Sequence, residues 1–388
     1  MLKQNIIESL RRGLVSLVRR PMYFMMMVVM PLLCTYMLLD MMKSGSPTRV
    51  PVAVVDLDNS PVSRRLVRSL CAMNAVDVKA HYATFAAAED AVRRGSILGF
   101  IYIPHGLAER ALSGRQPTIS YYINYAYYPP ASFQYRGFET ITLLANGSVA
   151  KSVMSGIGLP AQKLGSGMGG ISTQVHGIGN PWANYGYYLG LSFPPCLLAL
   201  LVMLITCFSI GTELKYGTCR AWLRSAGGSM GLAIAGKLLP QTLIFTAVGW
   251  MMQLMMYRIY WLPLNCNPWH MLLAMPLLVV ANQGFALAVM CAVPNFRLGT
   301  TVCSLLGMLS FSFCGFSVPT EAMYAWVQPL GYVMPIRYYF LLSIDQALNG
   351  IPLYYSRLYY AALLAYALLP VALTWRLRRE CLNPVYVP

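Results

Sequence analysis

Charge is what this sequence lacks most. Only 11% of its 388 residues are Asp, Glu, Lys or Arg, against about 25% in soluble globular domains. A chain that poor in charge and 57% hydrophobic reads as a membrane protein before any motif is sought. Acidic residues are scarcest, 13 against 29 basic ones, giving a net charge of +16. The chain holds 4 histidines, and no two of its 10 cysteines stand in a CxxC spacing. Zinc ligation by paired Cys and His therefore has nothing to build on. Cys34, Cys196, Cys207, Cys291, Cys303 and Cys314 fall in apolar runs, where a thiol serves as a small hydrophobe. Neither a metal site nor a disulfide framework is expected. The apolar runs also lack a series of acids. Asn282 and Gln283 are polar but neutral, and Asp40, Glu321 and Asp345 fall near span boundaries. Without such a relay an ion-coupled carrier is disfavoured, and energy, if the chain uses any, is expected from a separate protein.

What is present is a set of six long apolar runs: Met22–Leu39, Leu189–Ile210, Pro240–Tyr257, Met271–Val293, Thr300–Phe316 and Tyr359–Trp375. Crossing a bilayer core takes about 17–25 such residues, and the fifth run is the shortest. The expected fold is thus an α-helical polytopic membrane protein with six transmembrane helices and an inserted extracytoplasmic α/β domain. The expected layout is an amphipathic helix at 1–20, span one at 21–42, the inserted region at 43–182 and spans two to six at 183–388. The first run follows Lys3, Arg11, Arg12, Arg19 and Arg20 and leads into Asp40-Met41-Met42-Lys43. No small-residue cleavage pattern follows it, so it reads as an uncleaved span. Ahead of it, Ile6, Ile7, Leu10, Leu14, Leu17 and Val18 recur at helical spacing with the basic residues mostly opposite. That pattern suits a helix on an anionic leaflet and equally a plain positive-inside signal.

Between spans one and two the pattern becomes that of a water-soluble domain. Val50–Val55 is strand-like and runs into Asp56-Leu57-Asp58-Asn59-Ser60-Pro61, where Ser60 suits an N-cap and Pro61 the first helical position. Val76, Val78 and Ala80 alternate with Asp77 and Lys79 as a second strand; Thr84 opens a helix that Gly95 stops; Leu98–Ile103 and Thr118–Ile123 supply two more strands. Alternating strands and helices imply a small, largely parallel α/β sheet. A longer helical pattern follows Pro129-Pro130 to about Ser155, then the glycine-rich stretch Gly156–Asn180. Trp182, Tyr185, Tyr187 and Tyr188 precede the second run, an aromatic belt at a membrane edge. Between Val318 and Ile351, Pro319, Pro329 and Pro335 point to short helices at the outer interface.

The basic residues set the expected orientation. Lys3 to Arg20, then Lys215, Arg220, Arg224 and Lys237, then Arg297, and finally Arg376, Arg378 and Arg379 all fall on one side, while Arg258, Arg337 and Arg357 fall on the other. Both termini are therefore expected in the cytoplasm and the α/β domain outside. The positive charge marks membrane edges, and a nucleic-acid partner is not expected.

Three patterns imitate phosphate chemistry, and each fails on context. Gly231-x-x-x-x-Gly236-Lys237 is followed by Leu238 where a phosphate-binding loop needs Ser or Thr, and no strand precedes it. Gly165-Ser-Gly167-Met-Gly169-Gly170 has no strand feeding it. Asp56 and Asp58 follow a strand as in magnesium-dependent aspartyl phosphotransferases, but only Glu89-Asp90 supplies a second acidic pair, and that lies in a predicted helix.

The order of elements resembles the permease subunit of type-2 ABC exporters, most closely bacterial efflux permeases with a large external domain between spans one and two. VAVVDLDNSPVSRRLVRSL (52–70) and GFIYIPHGLAERALSGR (99–115) are similar to that family's external strands and helices. Glu213, Gly217, Thr218 and Leu223 match its E-x-x-x-G-T-x-x-x-x-L element, Gly236-Lys237 follows at the entrance to span three, and Gly315, Pro319 and Met323 resemble its pattern after span five. The first connection is more basic than is usual there, and Cys314 stands where a small polar residue is common. The resemblance implies a half-transporter in a bacterial inner membrane, paired as a homodimer or heterodimer. It further implies a cytoplasmic ABC ATPase that carries the ATP and magnesium, no cofactor in this chain, and contact with membrane lipids. A periplasmic adaptor and outer-membrane channel would meet the external domain. The loop 211–239 would meet the ATPase through Glu213, Gly217, Thr218, Arg220, Leu223 and Arg224, and the cargo would be drug-like or lipid-like. The competing reading is a membrane-anchored receptor or sensor with an external ligand-binding domain.

Overall fold

A computed structural model of the chain describes residues 2–43, 49–73, 76–112, 118–124, isolated positions between 132 and 143, and 184–382. The chain divides into two compact units, Met1–Lys43 with Gly177–Pro388, and the inserted Ser44–His176. The order is α1 (Leu2–Val18), α2 (Pro21–Met41), β1 (Val50–Asp56), α3 (Pro61–Cys71), β2 (Val76–His81), α4 (Phe85–Arg93), β3 (Gly99–Ile103), α5 (Leu107–Leu112) and β4 (Ser120–Ile123). After the inserted unit come α6 (Tyr185–Lys215), α7 (Cys219–Ser225), α8 (Met230–Leu254), α9 (Pro268–Ala292), α10 (Phe296–Phe313), α11 (Gln328–Val333), α12 (Pro335–Ser343), α13 (Leu353–Leu368) and α14 (Thr374–Leu382).

Among the described residues six stretches are long and apolar enough to cross a membrane: Pro21–Met41, Gly186–Lys215, Met230–Ile259, Pro268–Ala292, Phe296–Phe313 and Leu353–Leu382. The protein is a polytopic helical membrane protein. Asparagine opens three of these helices: the side chain of Asn184 accepts from Tyr187 N–H at 3.2 Å, Asn267 from Trp269 at 3.2 Å and Asn295 from Arg297 at 3.0 Å. Each satisfies a donor that the helix itself leaves orphaned. Pro31 in α2 is preceded by a π-helical turn, Met25–Val29, and its carbonyl accepts the Thr35 hydroxyl at 2.6 Å. The wider turn and the added donor accommodate a proline in a span.

Helices α6 and α9 form the centre of the bundle, with Leu198, Val202, Leu278 and Val279 fully enclosed. Large apolar side chains cover its outside, among them Leu243, Trp250, Met308 and Leu358. A water-facing surface rarely carries so much apolar area, whereas hydrocarbon accepts it. The Val318–Ile351 segment does fold into short helices: a 3₁₀ turn at Thr320–Ala322, α11, α12 and a π turn at Ile344–Leu348.

The inserted unit contains a four-stranded sheet in the order β2-β1-β3-β4. β1 pairs in parallel with β2 and β3, and β4 lies antiparallel to β3, so the largely parallel expectation is met. Period-two alternation gives the sheet two buried faces. Val52, Val54, Ile101 and Ile103 pack with Leu66, Leu70 and Leu107; Ala53, Val55 and Phe100 pack with Ala88 and Ala91. Ser60 and Thr84 cap their helices, accepting from Ser63 N–H at 3.1 Å and Ala87 N–H at 3.4 Å. The expected 156–180 linker, the 165–170 glycine motif and Trp182 lie outside the described residues.

Candidate functional site

The connection between α6 and α8 is shorter than its hydropathy implies. α6 continues to Lys215 and α8 begins at Met230, so Gly211 to Lys215 and Met230 to Leu239 are helix rather than loop. Glycines set both turns around α7. Gly217 has φ of 65°, and Gly227 and Gly228 have φ of 64° and 81°, a region costly for residues with a Cβ. The Thr218 N–H reaches back to the Glu213 carbonyl at 3.0 Å and the Gly228 N–H to Leu223 at 2.9 Å, closing the last turns of α6 and α7 in the manner of Schellman caps.

Beneath this connection lies a buried ion-pair hub. The Lys237 ammonium donates to Glu213 Oε1 at 2.6 Å, and the Arg12 guanidinium donates to Oε2 at 2.9 Å. The Thr218 hydroxyl also donates to Oε2. Glu213 is 8% exposed and Lys237 5%. Trp222 lies under the Lys237 ammonium at 5.1 Å from its ring centroid and donates its indole N–H to the Ala233 carbonyl at 3.1 Å. One carboxylate thus joins α1, α6, the start of α7 and α8. The space left among Ser9, Arg12, Glu213, Trp222 and Lys237 is about 10 Å³, at most the room of one water. The hub is a packed joint and has no room for a ligand.

Two further ties complete it. Helix α1 crosses α8 at small residues: a Cβ on Gly236 would collide with the Ser9 side chain, and one on Gly13 with the Gly236 carbonyl. Ser9 Oγ donates to the Leu232 carbonyl at 3.2 Å. The stripe buried in α1 is therefore Ser9, Gly13 and Leu17, while Ile7, Leu14 and Val18 stay exposed at 64%, 50% and 84%. On the other side, Arg220 Nη2 donates to the Leu382 carbonyl at 3.0 Å, so α7 also holds the end of α14.

The residues singled out from the sequence fall into two groups. Glu213 and Leu223 are turned inward, together with Cys219 and Trp222. Gly217, Thr218, Arg220 and Arg224 are exposed, as is Ala221. Sequence reasoning missed Arg12 and Lys237 as partners of Glu213, and Trp222 as the ring beneath Lys237. Lys237 stood out as a topology-setting charge, as part of Gly236-Lys237 at the entrance to span three and through its imitation of a phosphate-binding lysine, whereas the whole Gly231–Lys237 stretch is helical and the lysine is committed to Glu213. Arg337 was also missed. It is 6% exposed, donates to the Cys314 carbonyl at 2.9 Å and to Thr320 Oγ1 at 3.1 Å, and lies 4.6 Å from the Tyr332 ring centroid. The arginine thereby closes the Gly315 turn, where φ is 89°.

Asp56 and Asp58 in the inserted unit are engaged by their own chain. Asp56 Oδ1 accepts from the Asp58 and Asn59 N–H groups, both at 3.0 Å, and its Oδ2 accepts from Ser63 Oγ at 2.7 Å. Asp58 accepts from Leu107 N–H at 2.9 Å and Ala108 N–H at 3.3 Å. These are turn and cap bonds.

Six spans, an inserted α/β unit and a joint at the head of the central connection define a multi-pass membrane component. The family model described as ABC-2 family transporter protein matches residues 21–376, and the chain belongs to that family. A comparison with curated protein sequences gave no match. Membership makes the chain an ABC-transporter permease, a membrane transport component and not itself an enzyme, and implies an ATP-binding partner.

Proposed function

We propose that this chain is the export permease of an ABC transporter in a bacterial inner membrane, moving a drug-like or lipid-like cargo outward with ATP hydrolysed by a separate cytoplasmic ATPase. The observation that carries the reading is the two-faced character of α7. Its inner face, Cys219, Trp222 and Leu223, is buried against the spans, and its outer face offers Ala221 and Arg224 with the open turn at Gly217. An ATPase pressing on that outer face would move a helix tied through Thr218, Glu213 and Trp222 to α1, α6 and α8. The push would reach two spans and the N-terminal helix together, as an element coupling two sites requires. In this scheme Glu213 works inside the permease, and Arg224 and the Gly217 turn meet the ATPase. Two such chains, identical or related, enclose the path, both termini are cytoplasmic, and the inserted domain faces the periplasm, where an adaptor leading to an outer-membrane channel would dock.

Co-purification tests the reading. Arg224→Glu and Ala221→Trp alter exposed positions, so the chain is expected to fold and to lose its ATPase. Retention of the ATPase by both variants, with export intact, would refute it.

A further inference from the structure

A lateral groove of about 460 Å³ runs between α8, α9 and the α13–α14 junction. Its volume is within the range of ligand sites, about 300–1,000 Å³. Ile234, Leu238, Leu243, Val280, Leu287 and Pro370 give it apolar walls, and no charged side chain among the described residues lines it. Its mouth is apolar too, with Leu239, Leu243 and Val371 exposed at 47%, 63% and 67%. On a membrane span that is an opening toward hydrocarbon.

One polar group in this wall has an unmet bond. Gln283 is 3% exposed and lines the groove, yet its Nε2 has no hydrogen-bond partner among the described residues. Its Oε1 lies 2.7 Å from Thr242 Oγ1, which is also 2.9 Å from the Leu238 carbonyl. A threonine hydroxyl has one proton to give. If it goes to Gln283, the amide NH₂ is left over. If it goes to Leu238, the carboxamide turns its NH₂ to Thr242 and the amide oxygen is left over. In either orientation one end of a buried amide is unsatisfied, a costly state inside an apolar wall. A hydroxyl both donates and accepts, so it completes the bond in both orientations. A charged headgroup has no counter-ion here and would be penalised by desolvation.

We infer that the groove holds a neutral bilayer lipid whose polar handle is a hydroxyl, with its hydrocarbon along α8 and α9 and its hydroxyl on the Gln283 amide. The inference concerns binding to the chain alone and does not rest on the transport reading.

The test uses the full chain in nanodiscs, without ATPase, and a long-chain alcohol carrying a photoreactive diazirine. Labelled peptides are mapped, and oleyl alcohol is compared with 1-octadecene as competitor. Labelling is expected on the groove-lining parts of α8 and α9, with the alcohol competing about fivefold better, the worth of one net hydrogen bond. Gln283→Leu is expected to keep labelling but erase the difference between competitors. Ala235→Trp, at an exposed position on the groove wall, is expected to abolish labelling. Even labelling of all the spans, an undiminished signal in Ala235→Trp, or a preference for the alcohol that survives Gln283→Leu would overturn the inference. So would efficient cross-linking of Leu243→Cys between two copies, which would make a second chain the occupant.

Discussion

The Lys237 ammonium stands 2.6 Å from the Glu213 carboxylate, joining α8, which begins at Met230, to the end of α6 at Lys215, and both residues are nearly sealed from solvent. Burying two charges is expensive, and their mutual attraction only about offsets it. Removing one partner is different, because it strands the other. Glu213→Gln and Lys237→Met are each expected to destabilise the chain by about 3–5 kcal/mol. The double variant should cost less than the sum, because Arg12, whose side chain is 31% exposed, can turn toward water. Equilibrium unfolding of the four chains in detergent measures this, and additive effects would mean that the pair is not coupled.

The crossing of α1 over α8 depends on absent side chains. Gly236→Val places branched carbons where Ser9 now lies, and overpacking of this kind costs about 1–3 kcal/mol. Helix α1 is expected to lift off while the spans stay folded. Hydrogen exchange over residues 2–18 should accelerate selectively, with α9 unchanged. Uniform acceleration through the bundle would show that α1 is not the element displaced.

Arg337 serves two acceptors with a planar fork, and its guanidinium also lies over Tyr332. A lysine cannot reproduce that geometry. Arg337→Lys is expected to lower thermal stability nearly as much as Arg337→Met, in spite of keeping the charge. A lysine variant as stable as wild type would reduce the role of Arg337 to charge alone.

Asp58 gives the inserted unit a pH dependence. Its slight burial opposes ionisation, but bonds from the Ser60 side chain and from the N–H groups of Ala108, Leu107 and Gly106 outweigh it and hold the carboxyl below its ordinary value of 3.8. A carboxyl depressed in the folded state stabilises it above the ordinary value, and that contribution is lost as pH falls through the depressed one. Protection of the Leu107 and Ala108 amides is therefore expected to hold near neutrality and to fall off at acid pH below 3.8. Asp58→Asn should show weaker protection already at neutral pH. Equal protection in both chains would contradict the cap.

Much of this was legible in the sequence because it is local. Apolar run length gave the spans, period-two alternation gave the strands, and Ser60 and Thr84 announced their helices. The ends of α6 and α8 were not legible for a definite reason. Glu213 and Lys237 each count as polar in a hydropathy profile, so both appeared to belong to a loop. They neutralise each other across adjacent helices, and both helices continue past them. Arg12 is 201 positions from Glu213, and no local pattern connects them. Basic residues also carry two meanings. Lys237 and Arg337 read as topology signals, although each is committed inside the fold.

The most direct test of the central claim separates docking from transmission. In the double variant Glu213→Gln with Lys237→Met, the exposed face of α7 is unaltered while its link to α1 and α8 is weakened. Paired measurement of ATPase co-purification and ATP-driven export is expected to show the ATPase retained and export reduced by about tenfold, within the range of ordinary coupling energies. Loss of the ATPase from a folded variant, or export at the wild-type rate, would contradict the account.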